Sequence, residues 1–93
     1  MYIFGGKNKQ GKLLNTLIIM KIDHNNRLAG WFYPNIKGEL PPARFAHQLE
    51  FYPIMNALLV YGGRNDKTGQ TFGDLWCLNL RNLNWIELLI KTN

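Results

Sequence analysis

The sequence has 93 residues, of which 46% are hydrophobic and 13% aromatic, so it describes one small globular domain or a part of a larger one. Its formal net charge is +5, and the eleven basic residues are spread along the chain without the dense run that a nucleic-acid-binding stripe would show. The absence of serine excludes Ser-His-Asp catalysis, and a single cysteine, Cys77, excludes an internal disulfide.

The first predicted strand is the apolar run "MYIFGG" (1–6), which ends in two glycines. A polar loop (7–15) separates it from a second predicted strand, "TLIIMKID" (16–23). After a turn, a third strand is predicted in "WFYPNI" (31–36). The segment "KGELPPAR" (37–44) follows, and its doubled proline disfavours a helix there.

The same order of features returns in the second half of the chain. Four strands are predicted there: "FAHQLEFY" (45–52), "ALLVYGG" (57–63), "DLWCLNL" (74–80) and "WIELLI" (85–90). The second glycine pair lies 57 positions after the first, and Trp85 lies 54 positions after Trp31. Short strands at this spacing, without a 3.6-residue period, predict an all-β protein of consecutive antiparallel hairpins.

The loop after the first glycine pair matches G-x-x-x-x-G-K, the pattern of a phosphate-binding loop, over residues 6–12. A functional loop of that kind continues with Ser or Thr, which binds Mg²⁺, and with a helix whose N-terminus faces the phosphates. Here Leu13 follows the lysine, and the next segment has the composition of a strand. We therefore predict a solvated connection at this position and no nucleotide site.

The order of double glycine, loop, "DLWCLNL" and tryptophan, together with "GELPPARFAH", resembles the kelch repeat, which forms one blade of a β-propeller. The resemblance implies antiparallel four-stranded blades in an incomplete ring of about one and three-quarter blades. Residues 1–36 would be strands 2–4 of a partial blade, and residues 37–93 a complete blade. Because propellers close with roughly 4–8 blades, we expect the chain to be a fragment that needs further kelch blades or self-association.

Several residues are expected to be structural. Glycine pairs that recur at one register indicate positive φ or a close approach of another segment, and burial of a tryptophan is worth on the order of 4–6 kcal/mol, which favours packing over ligand stacking. The resemblance adds that the "PR-x-x-H" side chains hydrogen-bond loops at the centre of the propeller. The predicted structural positions are Gly5, Gly6, Gly62, Gly63, Trp31, Trp85, Arg44 and His47.

The resemblance further implies a non-enzymatic protein–protein interaction module that binds through inter-strand and inter-blade loops. In this chain the relevant loops are residues 7–15, 35–44 and 64–73, and they contain seven basic residues: Lys7, Lys9, Lys12, Lys37, Arg44, Arg64 and Lys67. If these residues share a face, acidic peptide segments are the predicted partners. The alternative is a fragment of a kelch-type enzyme, such as a copper radical oxidase, whose catalytic residues lie outside this chain.

No catalytic residue, metal site or cofactor is predicted, because His24, His47 and Cys77 lack the spacing of metal ligands and the carboxylates are scattered. A nucleic acid is not expected as a partner, because the basic residues are spread along the chain. A membrane is not expected either, because no apolar run approaches the ~18–20 residues that cross a bilayer. The single cysteine and the absence of an N-x-Ser/Thr site favour an intracellular, cytoplasmic location.

Overall fold

The computed structural model describes residues 1–89, and these residues form antiparallel β-sheets. The first sheet has the order β1-β2-β3, with β1 (Tyr2–Lys7), β2 (Leu13–Ile22) and β3 (Leu28–Phe32). The second sheet has the order β4-β5-β8-β9, and its strands are β4 (Gln48–Tyr52), β5 (Ala57–Tyr61), β8 (Leu75–Asn79) and β9 (Asn84–Leu88). The predicted all-β fold class is confirmed, and within residues 1–89 the only helical element is the 3₁₀ turn Pro53–Met55.

A two-stranded hairpin stands between the second and third strands of the four-stranded sheet. It consists of β6 (Arg64–Asn65) and β7 (Gln70–Thr71), and the sequence predicted only a loop there. The strand predicted at residue 31 begins at Leu28 instead, because β3 already pairs with Ile22 of β2 at that point. The proposed division into blades 1–36 and 37–93 stays a prediction. Residues 90–93, which include the last residue of the predicted strand 85–90, lie outside the described part of the chain.

The hydrophobic core lies between the two sheets. Phe4 of β1 pairs across the sheet with Leu17 of β2, and this face packs against the face of the second sheet that carries Leu78 and Trp85. The rings of Phe4 and Trp85 approach to 5.0 Å between centroids at an interplanar angle of 57°. Seven buried residues form the core cluster: Phe4, Leu17, Leu58, Val60, Trp76, Leu78 and Trp85. Each sheet thus contributes one apolar face to a shared core.

Trp31 does not belong to this core. Its side chain is 59% exposed, whereas Trp85 is 7% exposed. Trp31 lies opposite Met20 of β2, on the face of the first sheet that points away from the second sheet, and among residues 1–89 nothing covers that face. Within residues 1–89, Trp31 is therefore not packed as Trp85 is, and its predicted structural role stays a prediction.

Residues 41–47, which we call the connector, run between the two sheets. The amide of Gly6 donates a 2.8 Å hydrogen bond to the carbonyl of Arg44, and the amide of Arg44 donates a 3.3 Å bond to the carbonyl of Leu14. The side-chain amide of Asn15 adds a 3.1 Å bond to the carbonyl of Pro41. These bonds attach the connector to the first sheet.

The connector is also attached to the second sheet. Phe45 and Arg64 exchange two backbone hydrogen bonds, of 3.1 and 2.9 Å, which form an isolated antiparallel bridge. Ala46 then adopts a positive φ of 58°, so the chain turns before β4 begins. This turn explains why β4 starts at Gln48 and not at residue 45, as the sequence predicted.

The glycine pairs leave room for the connector. Gly5 and Gly63 have φ values of +70° and +95°. A Cβ atom at Gly63 would lie 2.8 Å from the carbonyl oxygen of Phe45 and 2.9 Å from the Cβ of His47. A Cβ atom at Gly5 would lie 3.0 Å from both the Arg44 carbonyl oxygen and the His47 Cε1. Glycine is required at these positions because backbone from a different segment occupies the space of a side chain.

The Gly63→Ala variant is expected to be much less stable than the Gly6→Ala variant. Both glycines have nearly the same φ, +95° and +93°, so alanine costs about 1–2 kcal/mol at either position because of its left-handed conformation. Only the Cβ at position 63 meets other atoms, and this overpacking costs roughly 1–3 kcal/mol more. Urea unfolding followed by tryptophan fluorescence measures both losses, and equal losses would contradict the argument.

Candidate functional site

Arg44 is fully buried, with 0% of its surface exposed. Its guanidinium donates hydrogen bonds to the carbonyl of Gly62 (2.9 Å, from Nη1), to the carbonyl of Pro42 (3.1 Å, from Nε) and to Asp74 Oδ2 (2.8 Å, from Nη2). The guanidinium carbon also lies 4.1 Å from the ring centroid of Phe72. The prediction that Arg44 contacts a partner is therefore wrong, because its donors and its charge are used inside the fold.

Asp74 supplies the negative charge that a buried arginine requires. It receives the Nη2 bond and a second charged contact from Arg44 Nη1, and its Oδ2 accepts a 2.7 Å hydrogen bond from Trp76 Nε1. Its side chain is 17% exposed. The hydrogen bonds from Arg44, assisted by the bond from Trp76, hold the pKa of the Asp74 carboxyl below its usual range despite partial burial.

His47 lies between the two glycine pairs. Its ring meets Phe4 edge-on, with centroids 5.6 Å apart, and its Nδ1 is buried without a hydrogen-bond partner among the described residues. Burial lowers the pKa of the imidazole, and the nearby Arg44 charge acts in the same direction. His47 is thus a neutral packing residue at pH 7.

A cleft of about 530 Å³ opens beside the connector, and we call it the Phe45 cleft. The Nζ of Lys7 lies 4.2 Å from the ring centroid of Phe45, and the guanidinium carbon of Arg64 lies 5.0 Å from the same centroid. Both distances are typical of cation–π contacts. The cleft is lined by Lys7, Phe45, Arg64, Asn65, Asp66, Gly69, Gln70 and Thr71.

Asp66 lies in this cleft and forms a salt bridge with Lys7. The pair is open to solvent, with 36% of the lysine side chain and 42% of the aspartate side chain exposed. The hydrogen bond from Lys7 lowers the pKa of the Asp66 carboxyl. The Asn65 side chain accepts hydrogen bonds from the amides of Lys67 and Thr68, at 3.0 and 3.3 Å, and so shapes the hairpin that carries Asp66.

Only two of the seven predicted partner-binding residues meet in this cleft. Lys7 and Arg64 occupy equivalent positions, each directly after a glycine pair, and this equivalence could have been read from the repeat. Phe45 and Asp66 were missed, since nothing in their sequence context says that they face the same space. Four other predicted residues are exposed but do not line the cleft: Lys9, Lys12, Lys37 and Lys67.

Other candidate chemistry is limited in the part of the chain that the structure describes. No group of three or more His, Cys, Asp or Glu residues in residues 1–89 is arranged to hold a metal ion. Cys77 is half-buried in β8, and burial raises the pKa of its thiol. Over the same residues, no helix has the length and apolar character needed to cross a membrane.

The fold defines a repeat protein built of antiparallel sheets, with one glycine pair near the end of β1 and the other directly after β5. The family described as "KLHDC2/KLHL20/DRC7 Kelch-repeats domain" matches residues 1–93, so this chain belongs to the kelch-repeat family. The resemblance predicted from the sequence is thereby confirmed. Kelch repeats are typically protein-interaction modules.

Three relatives have the same level of identity to this chain. Host cell factor 1 of Rattus norvegicus is 32% identical over 96 residues, which is 90% of this chain and 5% of that protein. Host cell factor homolog hcf-1 of Caenorhabditis elegans is 32% identical over 97 residues, 94% of this chain and 12% of the relative. Dynein regulatory complex subunit 7 of Chlamydomonas reinhardtii is 32% identical over 88 residues, 94% of this chain and 7% of the relative. The chain therefore spans a small part of each of these proteins.

Replacing Asp74 by asparagine should lower stability and flatten its dependence on acid pH. Because the folded-state pKa of Asp74 is depressed, its contribution is fully present above the ordinary carboxyl pKa and is lost as pH falls through the lowered value. At pH 7 the variant leaves the Arg44 charge without its partner, which costs about 3–5 kcal/mol. Urea unfolding between pH 7 and pH 3 tests both effects.

The exposed Glu50→Gln substitution is the matched control, because it removes one carboxylate without touching the Arg44 network. It should keep both the stability and the pH slope of the parent protein. The lowered pKa of His47 destabilises all three proteins below pH 6.5, so it does not distinguish them. A steep acid slope retained in Asp74→Asn would refute the role of Asp74.

Proposed function

We propose that this chain is a non-enzymatic protein-interaction module that binds acidic peptide segments at the Phe45 cleft. The observation that carries the proposal is the convergence of Lys7 and Arg64 on one aromatic ring in an open cleft. The two cations come from different repeats, at equivalent positions after the glycine pairs. Loops held by a rigid scaffold are the usual place for binding residues in such folds.

The chemistry of the cleft suits a peptide carboxylate. Its two cations can pair with acidic side chains, the Phe45 ring offers an apolar floor, and the side chains of Gln70 and Thr71 add hydrogen-bonding capacity. The net charge of +5 attracts acidic partners over a distance set by ionic strength. The basic residues do not form the dense stripe expected of a nucleic-acid site, and we propose neither a nucleic acid nor a membrane as partner.

The proposed module works within a larger assembly. The outer face of each sheet exposes apolar side chains, such as Trp31 at 59% and Ile86 at 58%, which further kelch blades or self-association would cover. We propose an intracellular, cytoplasmic location, in keeping with the single cysteine. The seven loop residues that the sequence indicated are thereby reduced to Lys7 and Arg64 as the proposed contacts, and the other exposed lysines supply long-range attraction.

Reversing either positive charge of the cleft should weaken the binding of an acidic peptide. A fluorescein-labelled hexaglutamate peptide would be titrated with the protein in fluorescence anisotropy at 50 mM salt. Lys7→Glu and Arg64→Glu should each weaken binding about three- to tenfold, because an attractive contact becomes a repulsive one. Raising the salt to 300 mM should also weaken the binding.

Lys21→Glu is the control, because it makes the same charge change at an exposed lysine outside the cleft. It should weaken binding less than twofold. Equal effects of all three reversals would show that only the net charge matters and would refute the cleft as the binding site. Tight binding of a hexaglutamine peptide would refute the preference for acidic segments.

A further inference from the structure

We propose that Asp66 is an internal competitor that occupies the position of a partner carboxylate on Lys7, so that the Phe45 cleft selects peptides carrying two acidic residues at alternate positions. This inference rests on the proposed function, and it adds the regulation and the specificity of the same site. The observation behind it is the salt bridge between Lys7 and Asp66 inside the cleft.

The two cations of the cleft differ in their availability. The ion pairs within residues 1–89 are Lys7–Asp66 and Arg44–Asp74, so no acidic residue in that range neutralises Arg64. Arg64 can therefore receive a first partner carboxylate directly. At Lys7, a second partner carboxylate has to compete with Asp66 for the charge of the lysine.

The fold keeps the competitor close to Lys7. Asp66 directly follows β6, which pairs with β7 and continues the Phe45–Arg64 bridge. A group tethered in this way acts at an effective concentration on the order of millimolar, so a dilute peptide with a single carboxylate displaces it poorly. A peptide already bound at Arg64 holds its second carboxylate close to Lys7 and so has the same intramolecular advantage. This second carboxylate can then displace Asp66 from Lys7.

The geometry indicates the spacing of the two acidic residues. Lys7 Nζ and the Arg64 guanidinium carbon lie 4.2 and 5.0 Å from the same ring centroid, so the two cations are close enough for one short peptide segment to reach both. In an extended peptide, side chains two residues apart point the same way and are separated by about 7 Å. The favoured ligand is thus an extended segment with acidic residues at alternate positions.

The displacement is energetically feasible because the salt bridge is exposed. Solvent reaches 36% of the lysine side chain and 42% of the aspartate side chain. Exposed pairs of this kind contribute little to stability, a factor of up to about five in an equilibrium constant. Asp66 therefore reduces the affinity of the cleft without closing it.

The test uses Asp66→Asn, which removes the charge and keeps the shape of the side chain. The probes are two labelled peptides of alternating glycine: one contains Glu-Gly-Glu, and the other contains Gln-Gly-Glu. Asp66→Asn should bind the two-glutamate peptide about three- to fivefold more tightly than the parent protein does. The double variant Lys7→Met/Asp66→Asn should lose this gain, because Lys7 is the cation that Asp66 releases.

Glu50→Gln provides the charge-matched control, since it removes an exposed carboxylate outside the cleft. It should leave the affinity unchanged. An equal gain in Glu50→Gln, or in the Lys7→Met background, would overturn the inference and attribute the effect to net charge. Binding by the parent protein with no gain in Asp66→Asn would also overturn the inference while leaving the proposed function intact.

The failure of the proposed function has a different signature. If neither the parent protein nor Asp66→Asn binds the two-glutamate peptide, the proposed function and the role of Asp66 are both refuted. If both bind it but Lys7→Glu and Arg64→Glu bind equally well, the cleft is not the site. Unfolding curves measured for each variant should show that the fold is retained, because Asp66 lies at the surface.

Discussion

The buried Arg44 guanidinium is the interaction on which the rest of the structure depends. It binds Asp74 and the carbonyl of Gly62, while the backbone of the same residue is hydrogen-bonded to Gly6 and Leu14 of the first sheet. One residue therefore joins the two sheets and the loop before β8. A charge taken fully out of water is tolerated only when it is paired and its donors are satisfied, and this requirement fixes the position of each partner.

The need for glycine at the two pairs and the packing of the shared core both depend on the position of the connector that carries Arg44. The connector passes so close to the first and second sheets that a side chain at Gly5 or Gly63 would meet its backbone. With the connector in place, Phe4 reaches Trp85 and the inner faces of both sheets are covered. The outer faces are left uncovered within residues 1–89, as expected for repeats that stack on their neighbours.

The Phe45 cleft is a consequence of the same segment. Phe45 directly follows the buried arginine, and its backbone bridge to Arg64 brings the hairpin of the second repeat beside Lys7 of the first. The scaffold thus brings the side chains of Lys7 and Arg64 to the same aromatic ring. In such an arrangement the binding residues can vary while the buried arginine and its carboxylate keep the geometry.

The sequence by itself determined the all-β class, the repeat and the kelch family, because alternating apolar runs, turn residues and paired glycines are local signals. It also indicated Lys7 and Arg64, which stand at equivalent positions of the repeat. Only the tertiary structure decided that Arg44 is buried, that Trp31 is exposed and that Phe45 and Asp66 share a cleft. These outcomes depend on contacts between residues far apart in the chain, such as Arg44 with Asp74, and no local pattern specifies which of six carboxylates a buried cation will find.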